Sequence, residues 1–537
     1  MKILTQKSFV KGALILSIAG IISKILGAVY RIPFARLVGD EGVGLYQMAY
    51  PFYTLILAIS TAGIPLAISK LVAERDHHRD EKGIKRVFKL SMGLLIIIGA
   101  FLAMGMYLSA DFIAHNILNE PRAALSLKAI APAILFTSIM STLRGYFQGF
   151  QTMVPTALSQ VFEQIIRVTT VFLAAFYLMP LGVEYAAAGA TFGAATGGLS
   201  GLLLLIVIYI WSEKKRKKQS IPPANLGKEE TNGEIIKQII YLAVPISIGG
   251  LVLPLMQTMD TFIVPARLQA AGFTSFEATG LYGQLSGMAG AIVNLPFIIT
   301  TAIAASLVPA VADAVVAGRI STVREQFSSA MLLAIIIVLP ASVGLLVLAE
   351  PICQLLYNEP EAGIPLAWLA PTVLIVGIYQ TSTGVLQGLG KPFIPVISLF
   401  WGALIKGVLT FSLTAMPTLG IRGAALGTVI GFLIAVFRNI FKVSKIIGIN
   451  WFKFKDHLLK PAIAVIVMGV TVVESYKLLL ATGLKQELST LIAIFIGAVI
   501  YFLILLIIGG IKVQDIRKVP KVGEKLADIL KKLRLAR

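Results

Sequence analysis

Five ionisable side chains sit well inside apolar runs of this 537-residue chain: Lys24, Glu163, Arg167, Asp260 and Lys406. A charge held in hydrocarbon costs about 2.5–3.5 kcal/mol on insertion scales, so such residues face a partner, a cavity or a transport path. Glu163 and Arg167 are one helical turn apart, a spacing that suits an intrahelical ion pair as readily as a functional role. On the first run, Gly20, Lys24, Gly27 and Arg31 share one small, basic helical face. Arg31 is close enough to the end of its run to snorkel, whereas Lys24 lies about two turns deeper. Asp260, in the seventh run, falls near the depth of Lys24 and could meet it. Lys406 occupies nearly the place in the second half of the chain that Arg167 holds in the first. With three cations to two anions, and Arg31 and Arg144 near run ends, the spans lean basic. That bias suits an anionic ligand, and phosphate groups are natural ligands of Lys and Arg.

Other chemistries lack their residues. Gly390-Lys391 has neither the upstream glycine nor the following Ser/Thr of a phosphate-binding loop, and no H-E-x-x-H occurs. The single Cys353 excludes an internal disulfide and a cysteine zinc site. His77, His78, His115 and His457 fall in or beside polar connections, so no metal centre is expected. The chain reads as a transporter and not an enzyme, with no cofactor and no ATP site. Its work is then drawn from a coupling ion gradient, the membrane potential or downstream consumption of product.

The elements that must position these residues follow from composition. The chain is 57% hydrophobic and only 14% charged, with mean hydropathy +0.86, outside the range of soluble enzymes and of disordered chains. Apolar runs fall at 9–30, 44–70, 88–110, 126–149, 153–180, 185–212, 237–265, 279–312, 326–349, 364–389, 393–416, 420–440, 457–480 and 488–511. Backbone amides cannot stay unpaired in lipid, so these fourteen spans are expected to be helices of an all-α polytopic membrane protein. Their length does not fit barrel strands. The first run reads as a span and not as a cleaved signal peptide, because it is long and interrupted by Lys24.

The net charge of +20 does not indicate nucleic acid, since the Lys and Arg sit in short loops between spans. With the N-terminus inside, 36 of the 47 Lys and Arg lie on the inner side and 8 on the outer. This excess places both termini in the cytoplasm, with the inner loops facing anionic inner-leaflet lipids.

An internal repeat organises the spans. Ala58–Pro65 matches Ala302–Pro309, Ala35–Leu37 matches Ala266–Leu268, Phe147–Gly149 matches Leu386–Gly388, and Gly182–Gly189 matches Gly420–Gly427, at offsets of 244, 231, 239 and 238 residues. The expected layout is two six-helix lobes in parallel repeat plus a C-terminal helix pair. Residues 1–212 form the first lobe, 213–236 a cytoplasmic linker, 237–445 the second lobe, 446–511 spans 13–14, and 512–537 a basic amphipathic cytoplasmic tail lying on the membrane. Pro65 and Pro309, matched by the repeat, are hinge candidates. Glycines four apart on spans 6 and 12 suit close helix packing within each lobe.

The stretches 35–46 (ARLVGDEGVGLY), 143–149 (LRGYFQG), 159–167 (SQVFEQIIR) and 184–189 (EYAAAG) resemble bacterial polysaccharide exporters. Together they look like the stage V sporulation protein B branch of the multidrug/oligosaccharidyl-lipid/polysaccharide (MOP) flippase superfamily. The resemblance implies fourteen helices in two lobes around a central cavity, in the bacterial plasma membrane. It implies movement of an undecaprenyl-pyrophosphate-linked oligosaccharide, such as lipid II, from inner to outer leaflet, with a polyprenyl-pyrophosphate glycolipid as substrate and the protein acting as a monomer. In lipid II flippases, spans 13–14 form a groove for the lipid tail and basic cavity residues meet the pyrophosphate. Lys24 stands in Ser23-Lys24-Ile25-Leu26-Gly27 where several relatives carry Arg. Further arginines of the Gram-negative lipid II flippases have no clear counterpart, and Gln284 stands where one would be, which leaves the carried glycan open. The other reading is an ion-coupled small-molecule or drug antiporter of the same superfamily, which predicts a smaller, more acidic cavity.

Overall fold

The computed structural model describes residues 2–61, 63–217, 230–448 and 451–510. The tail 512–537 and linker residues 218–229 lie outside the described residues. All regular structure among the described residues is helical. The first nine helices are α1 (Lys2–Val29), α2 (Arg31–Thr61), α3 (Ile64–His77), α4 (Glu81–Phe112), α5 (Ala123–Gly149), α6 (Val154–Leu178), α7 (Val183–Lys217), α8 (Asn232–Ala270) and α9 (Ser275–Tyr282). After a π-helical turn over Gly283–Ala289 come α10 (Gly290–Asn294), α11 (Phe297–Val316), α12 (Ile320–Val347), α13 (Ala349–Tyr357), α14 (Gly363–Leu369), α15 (Pro371–Gly388), α16 (Phe393–Thr414), α17 (Ile421–Ile447), α18 (Trp451–Ala481) and α19 (Gln486–Ile507).

Among the described residues, 11 helical runs are long and apolar enough to cross a membrane, or 13 if each of two bent pairs is one span. The first run, Ile15–His77, has 63 residues, about 95 Å of helix at 1.5 Å per residue, or roughly three hydrocarbon thicknesses. Where the sequence suggests a loop between spans 1 and 2, the chain stays helical except at Gly39, whose φ of 69° interrupts α2. Only glycine enters that left-handed region without strain. Helix starts carry their expected signals. Thr231 with Glu234, and Thr274 with Glu277, form capping boxes at α8 and α9, and Asp80 caps α4 through Gly83 N at 2.8 Å.

The helices group into two compact units, Met1–Gly287 and Met288–Arg537. In the first, α2 runs antiparallel to α8 along most of its length. Gly63 N, just past the end of α2, donates to Ser247 Oγ at 3.1 Å, and Thr258 Oγ1 donates to Pro51 O at 3.2 Å, while Gln47 Nε2 on α2 donates to Ser286 Oγ at 2.9 Å in the π-helical turn. A core of Ile68, Val87, Leu95, Leu143, Phe147, Leu205 and Ile239 ties α3, α4, α5, α7 and α8 together. In the second unit, Val311, Phe327, Met331, Val385 and Val443 build the corresponding core of α11, α12, α15 and α17. There α18 packs on α12 and α19, and Tyr501 OH on α19 donates to Ile336 O on α12 at 3.1 Å.

Packing supplies a sharper repeat register than the sequence matches. A Cβ on Gly145 would lie 2.7 Å from Pro65 O, and one on Gly384 2.5 Å from Ala304 O; likewise Gly149 meets Val72 at 2.6 Å and Gly388 meets Val311 at 2.7 Å. Each pair is separated by 239 residues. Pro65 therefore corresponds to Ala304, and the expected match with Pro309 is displaced by five residues. The two prolines also differ locally. Pro65 lies in the first turn of α3, just after the interruption at Gly63, whereas Pro309 lies inside an uninterrupted α11. Helices tolerate an internal proline when neighbours absorb the freed carbonyl. Further breaks are a 59° bend in α8 between Val244 and Gly249, a 41° bend at Ala370, and a turn at Leu295–Pro296.

Candidate functional site

The glycine stripe of α7 decides where Arg167 sits. A Cβ on Gly197 would be 2.8 Å from Glu163 O and 2.9 Å from Arg167 Cβ, and one on Gly193 3.0 Å from Arg167 O. Only bare backbone lets α6 come this close, the tight packing within a lobe that small-residue stripes favour. The second repeat does the same: Gly431 meets Lys406 Cβ at 2.7 Å and Gly427 meets Lys406 O at 3.3 Å. Arg167 and Lys406 are thus structural counterparts, 9% and 5% exposed. The stripes pair as Gly189, Gly193 and Gly197 with Gly423, Gly427 and Gly431, one turn from the sequence match of Gly189 with Gly427. Gly402 stands in the second repeat where Glu163 stands in the first.

Arg167 is enclosed by groups from three helices. Its Nη2 donates to Glu163 Oε1 at 2.6 Å and its Nη1 to Tyr50 OH on α2 at 3.1 Å. The other carboxylate oxygen of Glu163 accepts from Arg144 Nη2 on α5 at 2.9 Å, and Arg144 Nε donates to Ser159 Oγ at 3.1 Å. The one-turn pair suggested by spacing is therefore real but shared: two guanidiniums bind one carboxylate, and one positive charge is left over. Tyr50 stacks on Tyr46 with centroids 5.6 Å apart, and Tyr46 OH lies 2.9 Å from Tyr30 OH. Arg31, next to Tyr30, is half-buried. Its Nε and the Nε of Arg167 are enclosed without a hydrogen-bond partner, a state that ordinarily costs about 1–3 kcal/mol.

On α1, Gly27 touches α6, where a Cβ would be 3.3 Å from Gln164 Nε2, three residues before Arg167. Lys24, one turn back along α1, is exposed. Asp260 is half-buried on α8, beside Thr261, whose hydroxyl is 2.8 Å from Tyr282 OH. The first unit thus gathers Arg144, Glu163 and Arg167 in one cluster, with Arg31 and the Lys24 face on the adjoining α1. Lys406 belongs to the second unit, where it also has an interaction partner.

A second polar network was hidden in the sequence. Glu120, 2% exposed, accepts from Arg122 Nε and Nη2, both at 2.7 Å, from Thr279 Oγ1 at 2.9 Å and from Ser275 Oγ at 3.0 Å. Arg122 also pairs with Glu41, and Gln284 Nε2 donates to Asp40 Oδ2 at 2.8 Å. Backbones touch beside it: a Cβ on Gly283 would lie 2.1 Å from Asp40 O and one on Gly44 2.1 Å from Thr279 O. Burial pushes the Glu120 carboxyl up, but Arg122, Thr279 and Ser275 outweigh it and hold it below the usual carboxylate range. Arg122 lies in a short connection between spans, and Glu41 is 81 residues away in the chain, so no local spacing joins them. Among the described residues no group of three His, Cys, Asp or Glu side chains could hold a metal ion.

Comparison with known proteins agrees with this architecture. The profile for polysaccharide biosynthesis proteins matches residues 9–315, and the MatE profile matches residues 285–412. Stage V sporulation protein B of Bacillus subtilis (strain 168) is 32% identical, over 97% of this chain and 99% of its own length. The lipid II flippase MurJ of the same organism is 28% identical over 87% of this chain and 88% of its own. Among solved structures, lipid II flippase MurJ in an inward closed conformation superposes with TM-score 0.69 at 18% identity, covering 91% of this chain and 98% of that one. An inward-facing multidrug resistance MATE family transporter of the MOP superfamily gives 0.66 at 17% identity, covering 81% and 98%.

Proposed function

Because the chain belongs to the polysaccharide biosynthesis protein family, within the MOP flippase superfamily, we propose that this transporter turns over an undecaprenyl-pyrophosphate-linked oligosaccharide. The cargo is lipid II or a related cell-wall precursor, moved from inner to outer leaflet by alternating access. The observation that carries this reading is the Arg144–Glu163–Arg167 cluster, which holds surplus positive charge and an unpartnered, buried guanidinium Nε. Forked guanidiniums suit phosphate oxygens, and Arg31 and Lys24 extend the same basic character along α1. Lys406 supplies a cation at the matching place of the second repeat. The apolar pair α18–α19, with Ile466, Val470 and Phe495 exposed, suits the prenyl tail.

In this reading the 63-residue first run crosses twice and each bent pair once, for fourteen crossings with both termini in the cytoplasm. The end of α2 carrying Asp40 then faces outward and the end carrying Gly63 inward. Transport draws on a coupling ion or the membrane potential. A drug-antiporter reading is favoured only by the MatE match and the MATE-like fold.

Reconstituted vesicles separate the two. Wild type is expected to move lipid II between leaflets, and Lys24→Glu, at an exposed position that folding tolerates, to abolish this while still inserting. Unchanged translocation by the variant refutes the role of Lys24; movement of an organic cation but not of lipid II establishes the antiporter.

A further inference from the structure

The first unit holds a cavity that the proposed path does not use. It measures about 360 Å³ and opens between α2, α4 and α8, lined by Ile59, Ser60, Leu94, Ile98, Val244 and Ser247 among others. Its volume is that of a small ligand pocket, and only the Ser60 and Ser247 side chains in its lining are polar. The groove sits at mid-helix on α4 and α8, both within membrane-spanning runs, so hydrocarbon chains surround its mouth. At its base, Lys237 is exposed one turn before Ile240 and two turns before Val244, on the same face of α8.

We infer that this groove holds one acyl chain of an anionic phospholipid, with the headgroup phosphate against Lys237. An apolar slot ending at a cation complements the two parts of such a lipid, whereas a zwitterionic lipid offers Lys237 no net charge. The site has a mechanical consequence. The groove wall is the stretch where Gly63 N bonds Ser247 Oγ at 3.1 Å and where a Cβ on Gly63 would lie 2.1 Å from Ala243 O. That stretch also contains the 59° bend of α8. A lipid that binds only while the groove exists stabilises the bent arrangement of α2, α3 and α8 by mass action. The phospholipid thereby acts as a regulator of the transporter and is not its cargo.

The test places a photo-crosslinking amino acid at Ile98 in the groove or at Ile97, which is 69% exposed on the outer face of the same helix. The full chain is reconstituted in vesicles of equimolar phosphatidylglycerol and phosphatidylethanolamine, and adducts are weighed by mass spectrometry. Position 98 is expected to capture phosphatidylglycerol about fivefold over phosphatidylethanolamine, the ratio that ~1 kcal/mol per surface lysine produces. Position 97 should capture both equally. Lys237→Gln should erase the preference at position 98 while leaving total crosslinking intact, showing that the groove is still formed. No adduct at 98, equal capture of both lipids, or a preference that survives Lys237→Gln overturns the inference. Adding lipid II to the vesicles and finding it as the dominant adduct at 98 also overturns it, making the groove part of the cargo path.

Discussion

Replacing Glu163 by Gln removes the one carboxylate that Arg144 and Arg167 share. All three side chains are largely enclosed, at 13%, 17% and 11% exposure. Breaking a buried ion pair by removing one partner costs about 3–5 kcal/mol. Glutamine keeps an oxygen that can accept from one guanidinium, so the lower figure applies. At about 2 °C per kcal/mol for a unit of this size, the apparent Tm should fall by roughly 6 °C. If the cluster receives a pyrophosphate, the ligand restores what the carboxylate supplied. Undecaprenyl pyrophosphate, added during thermal unfolding followed by size-exclusion fluorescence, should then raise the Tm of Glu163→Gln more than that of wild type. The gap between the two should narrow. A variant as stable as wild type refutes the buried-pair energetics, and a gap that ligand leaves unchanged or widens refutes the assignment of the cluster to the headgroup.

Two further predictions concern stability alone. Gly431→Ala forces a Cβ to 2.7 Å from Gly402 O and from Lys406 Cβ, an overpacking expected to lower stability by about 1–3 kcal/mol. Gly105→Ala, in a helix with open space around it, should stabilise by up to ~1 kcal/mol; thermal unfolding of the pair in detergent checks both signs. Glu120 has a folded-state pKa below its unfolded value. Its contribution is therefore fully present above the ordinary carboxyl value of about 4.3 and fades as the pH falls from there through the lower folded value. The acid side of a Tm-against-pH curve should flatten in Glu120→Gln, and a variant curve parallel to wild type down to pH ~3 contradicts the assignment.

Much of this molecule was readable residue by residue. The expected apolar runs are helical over most of their described residues, because a long run of apolar side chains in lipid has to satisfy its amides locally, although 279–312 and 364–389 are broken at Leu295–Pro296 and Ala370. Spacing alone indicated that Glu163 and Arg167 could touch. What it could not show was Arg144 on the other carboxylate oxygen, or Tyr50 on the guanidinium, since both come from other helices. Glu120 escaped notice because a single acid in a short loop looks solvated until α9 brings Thr279 and Ser275 onto it.

The chain order by itself determined the helical class and the basic bias of the spans, which depend on composition and short-range periodicity, and it pointed to a duplicated plan through similar stretches some 240 residues apart. The tertiary structure decided the register of that duplication. A slip of one turn along a helix leaves a similar apolar face, so Gly189 can be matched to Gly427 at little loss of pattern, and a shared proline is enough to draw Pro65 onto Pro309, five residues out of register. Close-packed glycines do not tolerate the slip: the 239-residue spacing is the one that seats Val72 on Gly149 and Val311 on Gly388, and that puts Arg167 and Lys406 in the same place. Contact at 3 Å discriminates between registers that hydrophobicity treats as equal.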